Sequence, residues 1–145
     1  MMTEWVLSGR SKYYYLSTTE NMKNSKGEIF KKGQMITGWL QDKEAFYYLS
    51  PKQTTGYRSM PIAEGEMVIN WFEIDGRWYY FSRGEDGVDT QNYAGAKFAL
   101  GEMWTGWLQW VGLKRTHRYY LDKSSGHMIK NNKITIKGID LLFLL

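Results

Sequence analysis

The sequence predicts an all-β fold, a β-hairpin solenoid with long inter-hairpin loops, on three observations. Tyrosine pairs recur, each followed by Leu or Phe: Tyr14-Tyr15-Leu16, Tyr47-Tyr48-Leu49, Tyr79-Tyr80-Phe81 and Tyr119-Tyr120-Leu121. A tryptophan precedes each pair, at Trp5, Trp39, Trp71 and Trp107, with spacings of 34, 32 and 36 residues. Gly-x-Met precedes three of these tryptophans, at Gly33-Gln34-Met35, Gly65-Glu66-Met67 and Gly101-Glu102-Met103, and a fourth copy stands at Gly126-His127-Met128. A compound pattern recurring at a near-constant period marks a repeat array, in which each unit is one supersecondary element that buries its faces against its neighbours.

The clearest unit is Trp71-Phe72-Glu73-Ile74-Asp75-Gly76-Arg77-Trp78-Tyr79-Tyr80-Phe81. Asp-Gly between apolar runs is a strong hairpin signal, because both residues of a tight type I′ turn need positive φ. A two-residue turn there sets Ile74 opposite Arg77, Glu73 opposite Trp78, Phe72 opposite Tyr79 and Trp71 opposite Tyr80. Side chains alternate along a strand, so Trp71, Glu73, Trp78 and Tyr80 share one face. Phe72, Ile74, Arg77, Tyr79 and Phe81 share the other. Both faces carry aromatics, and a lone hairpin is marginal in water, so stacking of successive hairpins is required.

The other units vary this theme. Residues 39–49 have the same length, with Lys43-Glu44 at the turn and Phe46 in the place of Trp78. Residues 5–16 are one longer, turning at Ser8-Gly9-Arg10, with Tyr13 in that place. Residues 107–121 are four longer, with a wider loop that includes Gly112 and His117, and with Arg118 in that place. A degenerate terminal hairpin is expected at 133–143, where Lys133 and Asp140 replace the two tryptophans and Leu141-Leu142 replace the tyrosine pair. The whole chain, 1–145, then reads as one repeat module. The inserts 17–32, 50–64 and 82–100 are polar and glycine-bearing, but each holds an apolar residue three before the next Gly: Phe30, Ile62 and Phe98. These pin the loops to the core, and a short extra hairpin fits within them.

Composition agrees. Aromatic residues make up 17% of the 145, with 7 Trp and 11 Tyr, so large flat side chains must supply much of the buried area. There are 15 Gly, 2 Pro and no Cys, which favours tight turns and excludes disulfides and thiolate metal sites. A net charge of +4 and a pI of about 9.2 suit a polyanionic partner. No nucleic-acid motif accompanies the charge, so no nucleic-acid partner is expected. The N-terminus has no basic segment followed by an apolar run, hence no signal peptide, and the apolar stretch 139–145 is too short to insert in a bilayer.

No catalytic constellation, metal site or cofactor site is expected. His117 and His127 lack metal-ligand spacing. Asp42 with Glu44, Glu73 with Asp75, and Glu85 with Asp86 read as solvated turn charges. Ser124-Ser125-Gly126 lacks the strand-to-helix context of a nucleophile elbow. Gly84-Glu85-Asp86-Gly87-Val88-Asp89 lacks the ligand series of a calcium loop.

The run Gly-x-Met-x-Thr-Gly-Trp followed by a turn and an aromatic-Tyr-Tyr-Leu strand resembles the choline-binding and related cell-wall-binding repeats of Gram-positive surface proteins, autolysins and phage lysins. Met35-Ile36-Thr37-Gly38-Trp39-Leu40 and Met103-Trp104-Thr105-Gly106-Trp107-Leu108 carry the resemblance best, and it covers residues 5 to about 130. It implies a left-handed superhelix of hairpins with ligand cavities between consecutive repeats. Aromatics of two neighbouring repeats wall each cavity and a Met floors it. Carried over, the implied sites are Trp71, Trp78, Met103 and Trp107; then Trp39, Phe46, Met67 and Trp71; then Trp5, Tyr13, Met35 and Trp39. Arg118 departs from the pattern, since a cation there repels choline.

The implied activity is non-catalytic anchoring to choline or phosphocholine of wall teichoic or lipoteichoic acid, at the bacterial surface, as the targeting part of a lysin. A quaternary ammonium donates no hydrogen bonds, so π-faces are its best partners. Related repeats bind glucans through similar aromatics, and the motif alone leaves choline and a wall glycan both open. A structural adhesion module without a small ligand is the third reading. The apolar tail 139–145 is the candidate surface for a homodimer, with folding back as a cap the alternative.

Overall fold

A computed structural model of the chain describes residues 5–8, 12–83, 98–111, 116–129, 133–136 and 139–142. Among these the fold is all-β, apart from one turn of 3-10 helix at Tyr57–Ser59. The strands are β1 (Trp5–Ser8), β2 (Lys12–Tyr15), β3 (Met22–Lys23), β4 (Ile29–Phe30), β5 (Gly38–Asp42), β6 (Ala45–Leu49), β7 (Thr54–Thr55), β8 (Pro61–Ile62), β9 (Asn70–Ile74), β10 (Arg77–Phe81), β11 (Gly106–Val111), β12 (Thr116–Leu121), β13 (Lys133–Ile136) and β14 (Ile139–Leu142). Each pairs only with its sequence neighbour, in seven antiparallel two-stranded ladders. Five ladders are the repeat hairpins. The other two, β3–β4 and β7–β8, are short hairpins inside the first two inserts.

The third hairpin adopts the register that Asp75-Gly76 dictates: Ile74 opposite Arg77, Glu73 opposite Trp78, Phe72 opposite Tyr79 and Trp71 opposite Tyr80. Its turn residues have φ of 52° and 80°, the left-handed pair of a type I′ turn. The second hairpin makes the same turn without glycine, with φ of 50° at Lys43 and 73° at Glu44. β13 and β14 pair Lys133 with Leu142, Ile134 with Leu141 and Thr135 with Asp140, so the divergent terminal unit keeps the register of the third hairpin. In the fourth hairpin the ladder runs further than the sequence suggests. His117 is a strand residue opposite Trp110, not a loop residue, because regular pairing continues to Val111 opposite Thr116.

Successive hairpins are joined by one repeated device. The residue after each tyrosine pair bridges to the Met of the next Gly-x-Met: Leu16 to Met35, Leu49 to Met67, Phe81 to Met103 and Leu121 to Met128. The following Ser17, Ser50 and Ser82 are fully buried. Their amides donate to the carbonyls of Gln34, Glu66 and Glu102 at 2.8, 3.0 and 2.9 Å. Their carbonyls accept from Gly33, Gly65 and Gly101 at 2.8, 2.6 and 2.8 Å. The middle residue of the motif has its own task. Gln34, Glu66 and Glu102 each accept, through Oε1, the amide of the residue three before them, at 2.8, 2.8 and 2.9 Å. Gly-Gln/Glu-Met is thus a self-capped turn locked against the preceding strand.

A second set of bonds skips one unit. The Met67 amide donates to the Tyr13 carbonyl at 2.8 Å, that of Met103 to Phe46 at 2.7 Å, and that of Met128 to Trp78 at 2.6 Å. The motif after one hairpin therefore docks on the hairpin before it. The methionine side chains stack in the same direction: Met35 lies against Gly65, Met67 against Gly101 and Met103 against Gly126. These three glycines share a φ of +83°, and a Cβ on any of them would overlap the methionine sulfur. Conformation and space both demand Gly there. This column of Gly and Met links the units along the array.

The inserts are pinned as expected, with Phe30, Ile62 and Phe98 all buried. Phe98 stacks on the buried Trp104 with ring centroids 4.3 Å apart. The Gly84–Asp89 stretch and the turns at 9–11, 112–115 and 137–138 lie outside the described residues.

Candidate aromatic binding clefts

Strand register and stacking place Trp5, Trp39 and Trp71 each between two tyrosines. Trp5 packs on its cross-strand partner Tyr15 at 5.1 Å and on Tyr47 of the next hairpin at 4.9 Å, centroid to centroid. Trp39 does the same with Tyr48 and Tyr79, both at 5.1 Å. Trp71 does so with Tyr80 at 5.1 Å and Tyr119 at 5.0 Å. Most of these pairs are edge-to-face, the arrangement that the ring quadrupoles favour. The wall of each cleft is thus a Trp of one hairpin and the first Tyr of the next.

The skipped-unit bond supplies the floor. Met67, Met103 and Met128 are tied to the carbonyls of Tyr13, Phe46 and Trp78, the residues opposite position three of each first strand. Three clusters follow. Trp5, Tyr13, Tyr47 and Met67 pack together. So do Trp39, Phe46, Tyr79 and Met103. Trp71, Trp78, Tyr119 and Met128 form the third. The second cluster lines an open cavity of about 230 Å³, together with Ser25, Ser124 and Ser125. Among the described residues no charged side chain lines it. The Asp122 carboxylate holds the far lip in place, accepting the amides of Ser124 and Ser125 at 2.8 and 3.0 Å. Those two bonds keep its carboxyl below the usual carboxylate range. Ser125 Oγ also bonds to Nδ1 of His127.

The sequence-derived groupings and the observed clusters differ by one unit. Trp71 and Trp78 do come together, but with Met128 and Tyr119 where Met103 and Trp107 were expected. Trp39 and Phe46 meet Met103 and Tyr79, not Met67 and Trp71. Trp5 and Tyr13 meet Met67 and Tyr47, not Met35 and Trp39. Met35 instead lies beside Gly65, and Trp107 packs on Tyr120 at 5.1 Å. The expectation took the next Met in sequence, whereas stacking brings the Met two hairpins on. The tyrosine walls carried a readable signal. Tyr79 alternates away from Trp78, so it must face another hairpin. Arg118 stands where Trp78 stands, opposite Gln109, and is exposed.

Two of the wall tyrosines, Tyr47 and Tyr119, are held in the neutral form. Burial raises the phenol pKa of Tyr47, and the nearby Glu102 and Asp42 add to it. Burial, with a smaller contribution from Tyr57, does the same for Tyr119. At the first cleft Trp5 Nε1 donates to Asp42 Oδ2 at 3.0 Å, which orients the indole. Among the described residues no cluster of three His, Asp or Glu could hold a metal.

Residues 69–88 match the family model for the choline-binding type of cell wall binding repeat. The third hairpin is similar to a cell wall binding repeat. The second and fourth hairpins share this repeat's Trp–Tyr pairing and its Gly-x-Met closure. No curated protein matches the chain in sequence. Among solved structures, it is similar to a multimodular pneumococcal cell wall endolysin from phage Cp-1 complexed with choline, at 23% identity, 97% of this chain, 28% of that one and a TM-score of 0.44. It is also similar to choline binding protein F from Streptococcus pneumoniae, at 24% identity, 94% and 48% coverage and a TM-score of 0.38. Alternansucrase in complex with isomaltononaose follows at 20% identity, 99% and 11% coverage and a TM-score of 0.25. The chain therefore spans less than half the length of each of these proteins.

Proposed function

We propose that the chain is a non-catalytic module that binds the bacterial cell wall by taking the quaternary ammonium of choline, free or as phosphocholine on wall polymers, into its inter-hairpin clefts. The observation that carries this is the uncharged cavity of Trp39, Phe46 and Tyr79 over Met103. Three π-faces and a polarizable thioether line a space in which, among the described residues, no cation competes. A trimethylammonium group has no hydrogen-bond donor, so it loses little on leaving water for such a cage. Each face contributes about 0.5–2 kcal/mol, according to its desolvation. The matched repeat at 69–88 supports the wall as the setting, and the net charge of +4 suits a phosphate-bearing polymer. We place the module at the cell surface, as the targeting part of a lysin. Self-association through 139–145 belongs to the same proposal, and a concentration-independent monomer in sedimentation, with and without choline, would exclude it.

A wall saccharide is the second reading, favoured by the serines that line the cavity. Titration calorimetry of the whole chain with choline and with a neutral wall saccharide separates the two. Saturable heat with choline alone is the expected result. Binding of the saccharide without choline would replace this reading by the other.

A further inference from the structure

A wider cleft of about 500 Å³ opens between the second insert and the third hairpin, with Trp71 and Trp78 on one side and residues 54–59 on the other. The insert is held to a fixed shape. Gly56 N donates to the Met60 carbonyl at 2.8 Å, Ser59 N donates to the Gly56 carbonyl at 3.0 Å, and Gly56 is seated tightly on Ile62. Arg58 and Ser59 adopt left-handed backbone, at φ of 56° and 60°. The Arg58 guanidinium lies 5.4 Å from the Tyr57 ring centroid, and Tyr57 packs on the cluster of Trp71, Trp78 and Tyr119. Both Arg58 and Glu73 line this cleft, on opposite walls and exposed. Among the described residues neither forms a salt bridge.

We infer that this cleft recognises the zwitterion as a unit, with the quaternary ammonium against Trp71, Trp78 and the Glu73 carboxylate and the phosphate ester on the Arg58 guanidinium. The inference rests on the choline reading above and adds a phosphate-reading residue supplied by the insert. The chemistry fits the placement. A guanidinium offers a planar fork of donors to phosphate oxygens, and stacking on Tyr57 preorganises it. A cation directly over the indoles would repel an ammonium. Here it sits on the insert, across the cleft from a carboxylate that attracts the ammonium.

The test follows the indole N–H resonance of Trp78 in the full chain, titrated separately with choline and with phosphocholine. The readout is the ratio of the two affinities at that resonance. The wild-type chain is expected to prefer phosphocholine about fivefold, the modest return of a charge contact at an exposed rim, and to lose the preference as salt screens it. Arg58→Gln is expected to bring the ratio to about one, and Arg58→Lys to keep part of it as a point charge. The free spectrum of each variant, matched to wild type, reports its folding. An equal ratio in wild type and Arg58→Gln would overturn the inference while leaving choline binding standing. Absence of any indole response to either ligand would overturn the choline reading and this inference with it.

Discussion

The second and third clefts are built from one repeat and yet present different openings. In both, a Trp and the residue opposite position three of its strand face the first Tyr of the next hairpin, over a Met from two units on. The mouths differ. Serines from the first insert and the fourth loop line the second cleft, whereas Trp71 and Trp78 of the third also face the 54–59 insert that carries Arg58. The repeat therefore fixes the aromatic interior, and the inserts write the polar rim.

The largest effect should come from breaking the interior common to both clefts. Gly101→Ala forces a side chain into left-handed backbone and into Met67, so it should cost about 3 kcal/mol in urea unfolding, as the sum of a conformational and an overpacking penalty. Gly76→Ala has a similar φ but open space around it, and should cost only about 1 kcal/mol. Equal costs would mean that the Gly–Met column does not carry the stack. Ligand binding comes next. Trp78→Ala should lower choline affinity at the third cleft by about fivefold, and Phe46→Ala should lower that of the second by less, because indole is the better cation–π face. Site-resolved indole titrations at Trp71 and Trp39 check this.

A smaller gain in stability tests the turns. Glu44 has the φ that Gly76 adopts in the third hairpin, so Glu44→Gly should stabilise the chain by about 1 kcal/mol, read as a higher urea midpoint. The smallest effect separates the rims by pH. Bonds from Ser125 and Ser124 depress the Asp122 pKa in the folded chain, so their stabilisation is present above the ordinary carboxylate pKa. It is lost as pH falls through the depressed value. The protection factors of the Ser124 and Ser125 amides, relative to intrinsic exchange at each pH, should fall on acidification in the wild type. In Asp122→Asn they should be lower at neutral pH and change little, while those at 54–59 stay the same in both chains.

What the sequence could and could not disclose follows from how local each interaction is. The register of the third hairpin was legible because Asp75-Gly76 fixes it within two residues. So was that of the terminal hairpin, where only the Lys137-Gly138 spacing survives. The pins Phe30, Ile62 and Phe98 were legible from their constant offset to Gly. The assignment of Met103 was not, because spacing along a chain holds no information on how far one hairpin rises over the next. The bond from Met103 to Phe46 spans two units and appears only in the stack. Alternation turns Tyr47, Tyr79 and Tyr119 towards another hairpin, but only the stack shows which tryptophan each one meets. The site at 54–59 was hidden for another reason: the inserts do not repeat one another's sequence, so no periodicity draws attention to Arg58.

The central claim, that each cleft joins aromatics of two hairpins to the methionine two units on, is tested most directly by contacts from bound choline. Nuclear Overhauser effects from the choline N-methyl protons should connect Trp39, Phe46 and Tyr79 with the Met103 methyl group, and Trp71, Trp78 and Tyr119 with that of Met128. Contacts that place the Met103 methyl in one site with Trp78 and Trp107, or choline bound with no contact to either methionine, would contradict it.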